Sequence, residues 1–272
     1  MIGLQNLHTH TTFCDGALSP ESMVEAALEK GCRSIGFSEH SHIGFDVYSM
    51  TPEGTYEYVG EINRLKAKYE GVADIFLGIE QDYYSCRPPD GLDYILGSAH
   101  YVKKGHGDGY ICIDNGANMQ KLAAGRHFGG DYYAMAEGYY AVMSDLITKT
   151  GADIVGHFDL IAKYNFGGCL FDEAHPRYVA AALGAMEAIL KSCKIFEVNT
   201  GAMYRYGNPE PYPSVLLLKE LRKRGGEVIL SSDSHDADSL FYKFDEMLDL
   251  LKACGFRYLK RLTESGFVDV KL

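Results

Sequence analysis

Seven short apolar runs recur along this chain of 272 residues, and they constrain its fold more than any other feature. They read "GLQNL", "RSIGFS", "ADIFLGI", "DYILGSA", "ADIVG", "KIFEV" and "EVILS". Each is continuous and rich in β-branched or aromatic residues, as parallel strands buried on both faces are. Helical patterns lie between many of them. In "SPESMVEAALEKG", Ser19 is placed to cap, Pro20 opens the first turn, Met23, Ala26 and Ala27 give the apolar spacing, and Gly31 stops the helix. "TPEGTYEYVGEINRLKAKYEG" repeats that grammar, with Thr51 as cap and Gly71 as stop. Further helices are predicted at about 131–150, 175–193, 213–224 and 238–254.

Strand–helix alternation of this kind makes the chain α/β, with two arrangements open to it: a closed barrel or an open doubly wound sheet. The chain has no glycine-rich phosphate loop of the dinucleotide or P-loop type. Because no long linker, low-complexity tract or internal repeat divides it, 1–272 reads as a single domain. "KKGHGDGYICIDNGANMQ" (103–120) is the loosest stretch and reads as an active-site loop or excursion. The tail "YLKRLTESGFVDVKL" reads as a terminal hairpin.

A formal net charge of -11 supplies no global basic field for long nucleic acid or an anionic membrane. Local cations, bound metals above all, could still overturn that potential for a phosphate. The seven cysteines (Cys14, Cys32, Cys86, Cys112, Cys169, Cys193 and Cys254) are scattered and odd in number, with no C-x-x-C pair. They read as reduced, packed thiols rather than a disulfide framework or zinc ribbon. With no basic-then-apolar leader and no apolar run of roughly 20 residues, the expected location is cytoplasmic.

The chemistry collects where the apolar runs end. The first ends in His8-Thr-His10, the second in His40, the third in Glu80, the fourth in His100, the fifth in His157 and the last in Asp233-Ser-His235. Only "KIFEV" differs, running into "NTGAMYR". In parallel α/β folds the C-terminal strand tips face one mouth, where active sites are assembled. Imidazole and carboxylate at such a mouth suit zinc, iron or manganese better than calcium or magnesium. One histidine at a strand tip is usually an ordinary polar residue; six tips sharing the habit are a constellation.

The remaining polar residues read more plainly. His42 is expected to support a ligand, and His106, His127 and His175 to be structural. Asp159 reads as a hydrogen-bond partner for a ligand imidazole, and Glu39 as facing the opposite side of its strand in a salt bridge. "GDYYAMAEGYYAVM" reads as an amphipathic helix burying aromatic faces.

"HTHTTFCDG", "SEH", "GIEQD", "GSAH", "GHFD", "NTG" and "SSDSH", in this order, resemble the polymerase and histidinol phosphatase (PHP) family, and within it the stand-alone histidinol-phosphatases. The resemblance implies a distorted (β/α)7 barrel with a trinuclear centre of divalent Zn, Fe or Mn type at its mouth. Carried over by position, His8 and His10 would hold one metal with Glu80 and Asp233. Glu80 would bridge to a second, completed by His100 and His157, and Asp15, His40 and His235 would hold the third. Some relatives have histidine where Asp15 stands. Arg205 falls where a phosphate-binding arginine is carried, and Lys163 where a second cation is expected. Lysine lacks the bidentate fork of arginine.

The implied activity is hydrolysis of a small phosphoric monoester, L-histidinol phosphate before others, by attack of a metal-activated hydroxide. Glu80, Asp233 and Arg205 would be the catalytic residues. The stretch 41–52 and the 103–130 excursion are the natural rim for an amine- and imidazole-bearing substrate. Four rivals stand beside it: a family phosphoesterase acting on nucleotides or other small esters, a C–N amidohydrolase, an idle barrel kept for binding, and a storage metal site. Metal identities and oligomeric state are not written in the sequence.

Overall fold

The computed structural model describes residues 4–104 and 109–272; His106, expected to be structural, lies outside the described residues. Six of the seven apolar runs are strands of one parallel sheet: β1 (Ser34–Phe37), β2 (Asp74–Asp82), β3 (Tyr94–Ser98), β6 (Ile154–Val155), β7 (Ile195–Asn199) and β8 (Glu227–Ser231), adjacent in that order. Between β3 and β6 the chain makes an antiparallel hairpin, β4 (Tyr101–Lys103) and β5 (Tyr110–Cys112). A terminal hairpin, β9 (Tyr258–Thr263) and β10 (Gly266–Lys271), follows as the tail suggested.

The first run differs from the expected regular strand. Residues 6–10 make isolated bridges to both edges of the sheet, Asn6 to Ile35 and Thr9 to Ser234. Gly36 N–H donates to Asn6 O at 2.8 Å, while His10 N–H donates to Ser234 O at 2.8 Å. The segment is thus shared between two neighbours. The buried Asn6 side chain substitutes for part of the ladder, donating to Ser232 Oγ at 2.9 Å and accepting from Ser232 N–H at 3.1 Å. The sheet curls so that its two edges meet this one segment.

Helices alternate with the strands: α1 (Pro20–Glu29), α2 (Pro52–Lys68), α3 (Ala117–His127), α4 (Tyr132–Ser144), α5 (Leu146–Thr150), α6 (Pro176–Ile189), α7 (Gly201–Tyr206), α8 (Val215–Lys223) and α9 (Phe244–Ala253). Ser19 and Thr51 cap α1 and α2 by accepting from Ser22 and Gly54 N–H. The stretch expected as one helix over 131–150 divides at Asp145. The last helix starts at Phe244, not 238, because Phe241 and Lys243 sit at φ 61° and 56°. The 103–120 excursion contains β5 and the start of α3, and the short α7 was not anticipated.

The core has an outer and an inner part. Outside the sheet, Met23, Tyr58, Ile62 and Leu65 of α1 and α2 bury Ile35, Phe37, Ile75 and Leu77. Tyr139 and Tyr140 of α4 are fully buried, and their hydroxyls donate to Phe158 O and Tyr178 Oη, as the aromatic pattern of that helix implied. Inside the curl, Leu7, Phe76, Tyr94, Leu96, Ile154, Ile195 and Ile229 form a separate apolar floor. Tyr94 fills the space beneath the mouth, and a Cβ at Gly78 would lie 2.2 Å from its ring. Because side chains alternate along β2, Phe76, Gly78 and Glu80 share the inner face, and the carboxylate stands directly above this floor. Among the described residues no helix is long and apolar enough to cross a membrane.

Candidate metal centre

Each strand tip delivers its residue to the same place. Glu80, fully buried at the end of β2, is central. His8 Nε2 and His10 Nε2 each lie 3.5 Å from its Oε2. His40 Nδ1 lies 2.7 Å from that oxygen. On the other oxygen, Oε1, His157 Nε2 stands at 2.9 Å and His100 Nε2 at 3.4 Å. Asp233 Oδ1 faces the same two N-terminal imidazoles, 3.6 Å from His8 and 3.4 Å from His10. Asp233 itself sits at φ 48°, a left-handed turn that aims its carboxylate back into the mouth.

Asp15 arrives on the turn after His10. Gly16 is needed there, since a Cβ would lie 2.5 Å from the His10 carbonyl carbon and oxygen. The turn brings Asp15 Oδ1 to 3.2 Å from His235 Nε2 and 3.6 Å from His40 Nε2. All nine expected ligands are therefore gathered. Among the described residues five groupings have ligand atoms within 4.8 Å of one another: His10, Asp15, His40 and His235; His8, His10 and Asp233; His8, Glu80 and His157; His40, Glu80 and His100; and His10, Cys14 and Glu39. Glu80 belongs to two of them, one with His157 and one with His100.

The donors fit a cation. His8 Nε2, His10 Nε2 and Glu80 Oε2 are buried and lack a properly directed hydrogen bond. Buried polar atoms are costly to leave so, and three on one point would all be satisfied by one ion. Burial and the neighbouring imidazoles push His10 down to about 3, so its ring is neutral, as a ligand must be. Burial acts to raise the Glu80 carboxyl, yet the imidazoles of His40, His100 and His8 hold it well below the usual range. For Asp233 the Arg205 guanidinium and His8 overcome burial in the same way.

Two carboxylates that the strand-tip reasoning missed hold the ligand rings. Glu197, buried in the middle of β7, accepts from His8 Nδ1 at 2.9 Å, which leaves His8 Nε2 for a metal. It also accepts from His157 N–H and Ser231 Oγ. Asp82 accepts from His100 Nδ1 at 3.1 Å and from its N–H at 2.9 Å. A charged residue inside a run buried on both faces was the available signal for Glu197.

Several expectations are corrected. Asp159 accepts from Ser214 N–H at 2.9 Å and holds no imidazole, while His157 Nδ1 has no partner. Among the described residues Glu39 forms no salt bridge. It is fully buried beside the ligands and accepts from Thr11 Oγ1 at 2.5 Å and Cys14 Sγ at 2.6 Å, because the 11–16 turn folds back over it. His42 tethers the 41–52 stretch through Met50 O at 2.9 Å rather than touching a ligand. His175 accepts from Arg177 N–H as the cap of α6, a structural role as expected.

The two expected cations flank the ligands differently. Arg205, on α7, places Nη2 2.5 Å from Asp233 Oδ2 and Nη1 2.8 Å from His235 Nδ1. Lys163 is buried, with Nζ 3.3 Å from Asp114 Oδ2 and over the Tyr206 ring. Asp114 is a further residue not singled out in the sequence. A cavity of about 350 Å³ opens here, lined by Asp15, His40, Glu80, His100, Asp114 and Lys163. Phe45 from the 41–52 stretch belongs to its wall, stacked on Tyr110 with ring centres 5.0 Å apart.

Fold and site together define an α/β protein with a curled parallel sheet and a histidine–carboxylate metal-binding cluster at the C-terminal tips of its strands. The chain belongs to the PHP domain family, whose pattern matches residues 6–201. A Deinococcus radiodurans protein named as a probable histidinol-phosphatase is 29% identical, covering 94% of this chain and 96% of its own. The Bacillus subtilis histidinol-phosphatase is 24% identical over 89% of this chain and 97% of its own. The crystal structure of a Lactococcus lactis histidinol phosphate phosphatase, complexed with zinc, L-histidinol and phosphate, superposes with a TM-score of 0.75. It is 20% identical and covers 98% of this chain and all of that one, a likeness of fold.

Proposed function

We propose that the protein is a metal-dependent phosphoric monoester hydrolase that converts L-histidinol phosphate and water to L-histidinol and phosphate. The observation that carries this reading is the convergence of His8, His10, Asp15, His40, Glu80, His100, His157, Asp233 and His235 on one mouth, with the Arg205 guanidinium beside it. Those nine residues would hold up to three divalent cations of zinc, iron or manganese type, with Glu80 bridging. Bound there, the cations would acidify water and offset phosphoryl charge.

The chain's own groups supply the rest. Arg205 can present two N–H donors to phosphoryl oxygens, and Asp233 and His235 fix its plane before substrate arrives. Lys163, in the wall of the cavity, adds a second positive charge. Asp46, Asp82 and Asp114 line the cavity with Phe45, Tyr48 and Tyr101, an acidic and aromatic surface. That chemistry suits a leaving group carrying an ammonium and an imidazole and opposes polyanions. The ligands of the Lactococcus lactis relative, zinc, L-histidinol and phosphate, support the same reading.

In this account residues 6–10 serve as the seventh stave of a distorted barrel, 1–272 forms one domain, and the enzyme works in the cytoplasm on a small molecule. The seven free cysteines agree with a reducing compartment. The test is phosphate release from L-histidinol phosphate beside a panel of nucleotide and sugar monoesters. A clear preference for histidinol phosphate supports the proposal. Equal or faster release from another ester would overturn the substrate, and cleavage of C–N bonds in place of esters would overturn the reaction.

A further inference from the structure

We infer that Cys14 and Glu39 form a hydrogen-bonded link that fixes His10 for metal binding, so that both are positioning residues of the proposed metal centre, on which this inference rests. Cys14 Sγ lies 3.4 Å from His10 Nδ1 and 2.6 Å from Glu39 Oε2. Glu39 is wholly buried and accepts from Thr11 N–H at 3.1 Å on the same oxygen and from Thr11 Oγ1 at 2.5 Å on the other. Three donors from one turn thus converge on one carboxylate. A further tie runs through the backbone, where Glu80 N–H donates to Glu39 O at 3.0 Å. Glu39 therefore joins the turn between His10 and Asp15 to the strand that carries Glu80.

The direction of each bond follows from what the groups can give. A carboxylate only accepts, so the thiol proton points at Glu39; Asp15 Oδ1, at 3.3 Å, is the more distant of the two acceptors. The sulfur then turns its lone pairs to His10, whose Nδ1–H donates to it. With its proton on Nδ1, His10 keeps Nε2 bare. That atom stands 3.5 Å from Glu80 Oε2 and 3.4 Å from Asp233 Oδ1 and has no properly directed hydrogen bond. Glu197 orients the ring of His8 by direct contact; at His10 a thiol stands between ring and carboxylate.

The same geometry argues against Cys14 as a ligand, although His10, Cys14 and Glu39 offer ligand atoms within 4.8 Å of one another. An ion held among them would take Nδ1 of His10 while Nε2 faces Glu80 and Asp233, so the ring would have to lose both protons. The sulfur and Glu39 Oε2 are also too close. Zinc bonds of about 2.3 Å to sulfur and 2.0 Å to oxygen, at a tetrahedral angle, hold the two atoms about 3.5 Å apart. At 2.6 Å they share a proton instead.

The experiment compares the full chain with Cys14→Ala, Cys14→Ser and Glu39→Gln. Cys14→Ala should lose at least about tenfold in affinity for one zinc per chain, read by competition with a chromophoric chelator. Cys14→Ser, whose hydroxyl accepts and donates at the same place, should stay close to the wild type. In the infrared difference between zinc-free wild type and Cys14→Ala, the S–H stretch of Cys14 should lie below that of a free thiol, and Glu39→Gln should move it up. Cobalt-loaded wild type should show no sulfur-to-metal charge-transfer band that Cys14→Ala removes. Equal zinc affinity in wild type and Cys14→Ala, a Cys14→Ser variant as weak as Cys14→Ala, an S–H band at the free-thiol position, or such a charge-transfer band would each overturn the inference and leave the metal centre standing. A wild type that takes up no zinc would overturn the metal centre, and with it the assignment of His10.

Discussion

His8 and Glu197 meet 2.9 Å apart, Nδ1 to Oε2, both wholly removed from solvent. The contact fixes the proton of His8 on Nδ1 and turns Nε2 toward Glu80 and Asp233. A buried carboxylate on the far side of a ligand ring raises its basicity and locks its orientation.

Replacing Glu197 with alanine should therefore weaken the metal site without touching a metal. A loss of roughly 10–100-fold in zinc affinity is expected, read by competition with a chromophoric chelator. Glu197→Gln, which can still accept from Nδ1–H, should retain more affinity than the alanine variant. Unchanged affinity in both would show that His8 is held by other means.

Arg205 should separate phosphate recognition from metal binding. Its paired donors are matched to two oxygens, and lysine offers only a point charge. Arg205→Lys should weaken inhibition by inorganic phosphate and lower kcat/KM by about tenfold or more, a cost of at least ~1.4 kcal/mol. Metal content should be unchanged. Phosphate inhibition equal to the wild type would remove Arg205 from the site.

The pH dependence of the metal-stripped protein tests the electrostatics. Burial acts to lower the His100 imidazole, but the Glu80 and Asp82 carboxylates prevail and raise it to about 9. A folded pKa above the unfolded value near 6.5 favours the fold fully below that value and loses the benefit as pH rises through about 9. Metal-stripped protein should thus melt lower at pH 9.5 than at pH 6. Loading at pH 7 should release protons, because a ligating imidazole must be neutral. Proton release measured in buffers of different ionisation enthalpy checks this; no release would contradict it.

Gly78, in the apolar floor beneath the metal centre, gives a stability test. An alanine Cβ there would sit 2.2 Å from the Tyr94 ring, in a close-packed floor. Overpacking of this kind costs about 1–3 kcal/mol, so Gly78→Ala should lower the denaturant midpoint while leaving the slope unchanged. A midpoint equal to the wild type would mean that Tyr94 has room to move.

The strand tips were legible because metal chemistry demands unusual residues at one end of each run, and the run marks where that end is. His8, Glu80 and His157 could be found without knowing how the sheet curls. Glu197 stood out only as a charge within a buried run, and its purpose and that of Asp82 appear only when β7 and β2 bring them against His8 and His100. Asp159 misled for the same reason: two residues from His157 in sequence, its carboxylate turns to Ser214. Residues 6–10 read as a strand, yet their hydrogen bonds are divided between two neighbours, a property of closure that local sequence does not carry. Arg205 was placed by resemblance, but the short helix that presents it follows from β7 ending at the mouth, a matter of position rather than propensity.

Nine ligands gathered around Glu80 are proposed to make a metal centre that hydrolyses L-histidinol phosphate. The measurement that tests it most directly is phosphate release from L-histidinol phosphate by metal-loaded, metal-stripped and re-metallated protein and by Glu80→Gln, with metal content determined on each preparation. Release that vanishes on stripping, returns with metal, and falls by at least about a hundredfold in Glu80→Gln together with metal loss is the predicted result. Release that persists in stripped protein, or near-normal turnover by Glu80→Gln, would contradict it.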